Sequence, residues 1–200
     1  TASILPNILK KYNSISYSLE GEQQEQGENL KSIGKNFLLA MVVVYMLLAI
    51  PFKSYFQPLV VMSSIPFGLT GAMFGHLIMG INFSVLSLMG VVALTGVVVN
   101  DSLVMVDFIN RYRSEGNNIT EAVLEAGPRR FRPIFLTSLT TFVGLIPLLL
   151  EKSAQAKFLI PMAVSLSFGV IFATAITLFL VPVGYLVLEK HILRTDKVNI

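Results

Sequence analysis

The sequence has no cysteine and no tryptophan, only two histidines, and few charges: Asp, Glu, Lys and Arg make up 14% of its 200 residues. Without cysteine there is no disulfide framework and no thiolate metal site, and His76 and His191 are too few and too far apart for a zinc cluster. Soluble domains carry roughly a quarter charged residues. Here the shortfall is matched by 54% hydrophobic residues and a mean hydropathy of +0.70, an apolar excess that needs lipid rather than a larger core. The formal charge is +3, but the basic residues sit at the ends of apolar runs, where loop topology explains them, so no nucleic-acid partner is implied. Neither His-Glu-x-x-His nor Gly-x-Ser-x-Gly occurs, and no enzyme is expected. The chain opens Thr1-Ala2-Ser3, with no initiator methionine and no basic n-region, and reads as a fragment of something larger.

What is present is a series of uncharged runs. Asn36 to Phe52 is the first; with its flanks it gives a span over 33–52, close to the ~20 residues that cross ~30 Å of hydrocarbon. From Ser54 to Asn100 there is no formal charge at all, enough for two crossings, 57–79 and 84–110, joined by a turn at Gly80-Ile81-Asn82-Phe83-Ser84. Pro58 suits the first turn of its helix, whereas Pro66 predicts a kink. Gly71-x-x-x-Gly75 predicts close approach of a neighbouring helix. After a polar stretch, 118–127 reads as a short interfacial helix closed by Gly127-Pro128. The last two spans are 133–150 and 158–188. The expected fold is therefore an all-α polytopic membrane protein with five transmembrane helices over 31–200. Residues 1–30 form a polar preface in which Ser14 to Leu19 alternates as a half-buried strand, whose partners must lie upstream.

Lys53, Arg111, Arg113, Arg129, Arg130, Arg132, Lys190, Arg194 and Lys197 all fall at one side of these spans. By the positive-inside rule that side is cytoplasmic, which puts the N-terminus outside and the C-terminus inside.

Only Asp101 and Asp107 are acidic residues within a span. Counting back from Arg111, Asp101 is about 15 Å deep at 1.5 Å per residue, near the midplane, while Asp107 is one turn deep. A midplane carboxylate costs on the order of 2.5–3.5 kcal/mol, so it must face other helices or water. It either locks helices together as a satisfied polar contact or carries a coupling ion, and a carboxyl in such a place is a natural proton carrier. Asn100 stands beside it. Thr137, Ser138, Thr140 and Thr141 supply hydroxyls for a carboxylate or a water path, or bond the preceding turn of their own helix. Arg130 and Arg132 either anchor the helix at the interface or reach inward as counter-charge.

Phe52-Lys53-Ser54-Tyr55-Phe56-Gln57-Pro58-Leu59, Ile65-Pro66-Phe67-Gly68, the Gly96 to Phe108 run and above all Arg130-Phe131-Arg132-Pro133-Ile134-Phe135-Leu136-Thr137-Ser138-Leu139 resemble the last five transmembrane helices of AcrB-type permeases of the resistance-nodulation-division superfamily. The resemblance covers essentially the whole chain. It implies a proton-driven exporter of the bacterial inner membrane, with residues 1–30 closing a periplasmic porter domain. It also implies a homotrimer, an N-terminal half carrying paired aspartates, a periplasmic adaptor and an outer-membrane channel. The energy source would be the proton gradient, with no cofactor. In that family the relay includes a lysine, an arginine and a threonine; Arg130 and Thr137 match the latter two, while Asn100 stands at the lysine position and Asp101 where asparagine is usual. The alternative is a non-transporting membrane-assembly or scaffold subunit whose polar residues only hold helices together.

Overall fold

The computed structural model describes residues 22–190, with side chains from Gly27 onward. The expected strand at 14–19 and the basic residues Arg194 and Lys197 lie outside the described residues. Two compact units divide the chain, residues 1–36 and 37–200. Among the described residues there is no strand, and five helical segments are long and apolar enough to cross a membrane.

The first is α1, Glu22–Phe52. It ends at Lys53, whose φ of 49° is the one positive value outside glycine among the described residues. Then come α2, Gln57–Met62, and α3, Ile65–Met79, which together make the second span. The irregularity expected at Pro66 takes the form of a break at Ser63–Ser64. Pro66 thereby falls in the first turn of α3, where its missing N–H costs little. Gly80 closes α3 in the left-handed conformation (φ 64°), while the Ile81 N–H reaches back to the His76 carbonyl at 3.1 Å. The third span, α4, runs Val85–Ser114 and begins with a capping box: Ser84 Oγ accepts the Ser87 N–H and Ser87 Oγ accepts the Ser84 N–H.

The separate interfacial helix expected at 118–127 is not separate. One helix, α5, runs Ile119–Leu150 straight through Gly127, Pro128 and Pro133. Ala122, Val123 and Ala126 are buried in the same cluster as Val106 and Ile109 of α4, which holds the segment in line. The carbonyls that the two prolines leave unbonded belong to Leu124 and Arg129, both exposed. The last span, α6, is Ala156–Leu188.

Within residues 37–200, α6 is the hub. It packs against α3, α4 and α5, and glycines set how closely. A Cβ on Gly71 would collide with Cβ of Phe172, one on Gly75 would sit 2.5 Å from Cβ of Phe168, and one on Gly90 would strike the Met162 carbonyl oxygen. Every fourth residue of α6, from Ser165 through Gly169, Ala173, Thr177 and Val181 to Tyr185, is buried and forms one ridge. The facing ridge on α4 pairs with it at a constant offset. Gly90 meets Ser165 and Leu94 meets Gly169. Tyr185 donates to Asn110 Oδ1 at 2.6 Å across an offset of 75 residues.

A polar cluster closes the basic end of this bundle. Gln57 and Asn110 exchange amide hydrogen bonds (3.2 and 2.8 Å), Tyr185 joins them, and Arg113 holds Glu189 through both guanidinium nitrogens at 3.0 and 2.7 Å. It ties α2, α4 and the end of α6 together. Tyr185→Phe keeps the ring and removes the hydroxyl, leaving Gln57, Asn110 and Arg113 each one partner short. We expect a loss of about 1–3 kcal/mol, read as a lower thermal unfolding midpoint of the detergent-solubilised protein.

Candidate functional site

Asp101 sits midway along α4 and is 5% exposed. Two helical turns away on the same stripe, Leu94 packs onto Gly169 of α6. Two turns the other way, Phe108 lies 5.0 Å beneath the Arg130 guanidinium of α5. The contacts on either side of it therefore place Asp101 along the seam where α4, α5 and α6 meet. Its carboxyl makes no ion pair or hydrogen bond with any described residue. Burial of a carboxyl without a cation is costly unless it is protonated or solvated by hydroxyls and water.

Hydroxyls line this seam. Ser138 of α5 donates to its own Ile134 carbonyl at 3.0 Å, and Thr174 of α6 bonds the Ser138 oxygen at 2.5 Å. The α4–α6 register puts Thr174 opposite Val99, less than one turn from the level of Asp101. Ser102, next to Asp101, bonds the Val98 carbonyl at 2.8 Å and Ser64 at 3.0 Å. Ser138 is 1% exposed and Ser102 is fully buried.

The other candidates are placed differently. Asn100 is exposed, on another side of α4. It lines a groove of about 380 Å³ between α1 and α4, whose walls include Met41, Val44 and Leu48 opposite Val99 and Leu103. Thr137 is exposed and donates to the Ile134 carbonyl at 2.8 Å. Thr140 and Thr141 likewise bond their own helix, at 2.9 and 2.8 Å. The Arg130 guanidinium rests on the Phe108 ring, two turns toward the basic end from Ser138, with Nε buried and unpartnered among the described residues. Asp107 is exposed and pairs with Arg111 one turn on, at 3.3 Å. Of the residues singled out in the sequence, the structure brings Asp101 and Ser138 to one seam. No direct hydrogen bond joins Asp101, Asn100, Arg130 and Thr137 among the described residues.

Thr174 and Thr177 carry no signal of their own, because a threonine in an apolar helix looks the same whether it bonds its own backbone or faces a neighbour. No group of three or more His, Cys, Asp or Glu side chains is placed to hold a metal among the described residues. The chemistry available is that of a buried carboxyl near helix hydroxyls, with Asn100 on another side of α4 and Arg130 two turns away toward the basic end.

The profile of the AcrB/AcrD/AcrF family matches residues 4–189. The chain is 34% identical over 154 residues to the multidrug resistance protein MdtC of Erwinia tasmaniensis, covering 76% of this chain and 15% of that protein. It is 32% identical over 179 residues to the swarming motility protein SwrC of Bacillus subtilis, 89% of this chain and 17% of that one. To MdtC of Pantoea ananatis it is 31% identical over its whole length, 19% of that protein. It thus spans less than a fifth of the relatives it matches. A crystal structure of a heavy metal efflux pump shares the fold, with a TM-score of 0.77 at 24% identity over 94% of this chain and 20% of that one. With the profile matched almost end to end and five apolar helices folded as in a solved pump, this chain belongs to the AcrB/AcrD/AcrF family of membrane proteins.

Proposed function

We propose that this chain is the transmembrane part of a secondary active exporter, in which proton influx through a site centred on Asp101 drives efflux of a multidrug or xenobiotic substrate. The observation that carries the reading is Asp101 itself: a carboxyl 5% exposed, in the middle of a span, without a paired cation, on a seam of three helices. Such a group changes its charge as it binds and releases a proton, and each state favours a different packing of the helices around it. Asn100, Arg130 and Thr137 lie on surfaces that this chain leaves uncovered or half-covered, as residues turned toward a further helical half would. That half, the N-terminal part of the same transporter, completes the relay. The assembled protein is a homotrimer of the bacterial inner membrane, with the start of this chain periplasmic and its end cytoplasmic, working with an adaptor and an outer-membrane channel. It needs no cofactor, because the proton gradient supplies the energy.

The test is the driving force. In proteoliposomes containing the full-length protein, an imposed pH gradient is expected to drive export of a fluorescent substrate, and nigericin to abolish it. Transport that persists without the pH gradient, or that a sodium gradient drives instead, overturns the proposal.

A further inference from the structure

Helical hydroxyls in this chain nearly all follow one habit: Thr70, Thr95, Ser102, Ser138, Thr140, Thr141 and Ser167 each donate to a carbonyl one turn back. Ser165 and Thr177 do not: the Ser165 Oγ and the Thr177 Oγ1 are both buried with no partner among the described residues. Ser165 faces Gly90 near the start of α4, whereas Thr177, 1% exposed, lies three turns further along α6. A buried hydroxyl left unbonded costs about what a hydrogen bond is worth, so such groups mark a missing partner or a water.

The packing says where that partner is. Thr177 belongs to the α6 ridge whose members meet α4 at Gly90, Leu94 and Asn110 with one constant offset. Continuing that register sets Thr177 opposite Ser102. The Ser102 hydroxyl is already engaged with Val98 and Ser64, and the next residue, Asp101, has a carboxyl without a partner. Two unsatisfied groups, one a donor and one an acceptor, thus fall at the same level of one seam.

We propose that Thr177 is a positioning residue of the ion-coupling site: its hydroxyl bonds the Asp101 carboxyl, directly or through one water, and so ties α6 to the protonation state of α4. This rests on the reading of Asp101 as the proton carrier. It adds to the site a helix that contributes none of its sequence-predicted residues. Few charges bear on this pair. On α4 the nearest is Asp107, exposed and paired with Arg111; on α5 they are Arg130, over the Phe108 ring, and Arg132, exposed; α6 carries Lys157 at its far start and no further charge until Glu189; α3 offers only His76, bonded to Ala72 and Ser87 at the far end of the bundle.

The probe is N,N′-dicyclohexylcarbodiimide, which modifies a protonated buried carboxyl. Modification of Asp101 in the full-length protein is followed by mass spectrometry across pH. Thr177→Val, which keeps the shape and removes the hydroxyl, is expected to displace the midpoint by about 0.5–1 pH unit, the size of one hydrogen bond to one protonation state. It should also lower maximal transport about 10-fold at unchanged half-saturation for substrate, and Thr177→Ser should restore both. A Thr177→Val protein with the parent's midpoint and rate overturns the proposal, as does a Ser variant that behaves like Val. Asp101→Asn separates this from the larger reading. If it transports normally, Asp101 is not the carrier; if it is inactive while Thr177→Val is unchanged, only the role of Thr177 fails.

Discussion

In the full-length protein that contains this chain, Asp101→Asn is expected to reduce transport by about 100-fold or more while leaving the amount of protein in the membrane unchanged. The substitution is close to isosteric and keeps a polar group at the seam, so any contact that only holds helices together survives it. What it removes is the proton. A group that must be loaded and unloaded in each cycle cannot be replaced by one that never titrates, and losses of 10²–10⁴ are typical when a proton-transferring group is deleted. Asp101→Glu, which keeps the charge and lengthens the side chain in a packed seam, should retain part of the activity. A scaffold subunit predicts the reverse order, with Asn tolerated and Glu disruptive. Resistance of cells expressing each variant, read beside membrane protein level, distinguishes the two.

The second large effect is structural. Gly71→Leu and Gly90→Leu are expected to prevent assembly of the bundle. The first would drive a side chain into Phe172 and the second into the backbone of α6 at Met162. Neither the Met162 carbonyl nor Cβ of Phe172 can move aside as a side chain end does, so both sites should be intolerant. The smaller change Gly75→Ala, which puts a methyl 2.5 Å from Cβ of Phe168, should cost about 1–3 kcal/mol. Gly127→Ala is the control: nothing lies within 4 Å of its added Cβ, and alanine favours a helix interior over glycine by about 0.5–1 kcal/mol, so it should be neutral or slightly stabilising. Unfolding midpoints of the purified variants in one detergent give the comparison.

The spans were legible because lipid imposes length and hydropathy on every crossing helix, and the turn at Gly80 to Ser84 was legible because Gly80, Asn82 and Ser84 are turn-favouring residues in the middle of a run long enough for two crossings. The continuity of α5 was not. Gly127-Pro128 carries a strong local stop signal, and it is overridden by Ala122, Val123 and Ala126 packing against α4, contacts that no local pattern encodes. Asp101 stood out by rarity alone, since a carboxylate in an apolar run is expensive wherever the run folds. Its surroundings did not stand out. Whether Ser138 turns in while Thr137 turns out is decided by the rotation of α5 against α6, and the offset that brings Thr177 to Ser102 is a property of two helices whose contacting residues lie 75 positions apart. For the same reason Gln57, Asn110, Tyr185, Arg113 and Glu189 read as scattered polar residues until the fold gathers them.

Proton flux reads whether Asp101 carries the coupling proton: proteoliposomes of the full-length protein, loaded with a pH-sensitive dye, are given an outward substrate gradient, and the internal pH is followed. The parent is expected to couple substrate movement to a pH change, and Asp101→Asn to give none at equal protein density. A pH change of the parent's size in Asp101→Asn would contradict the account.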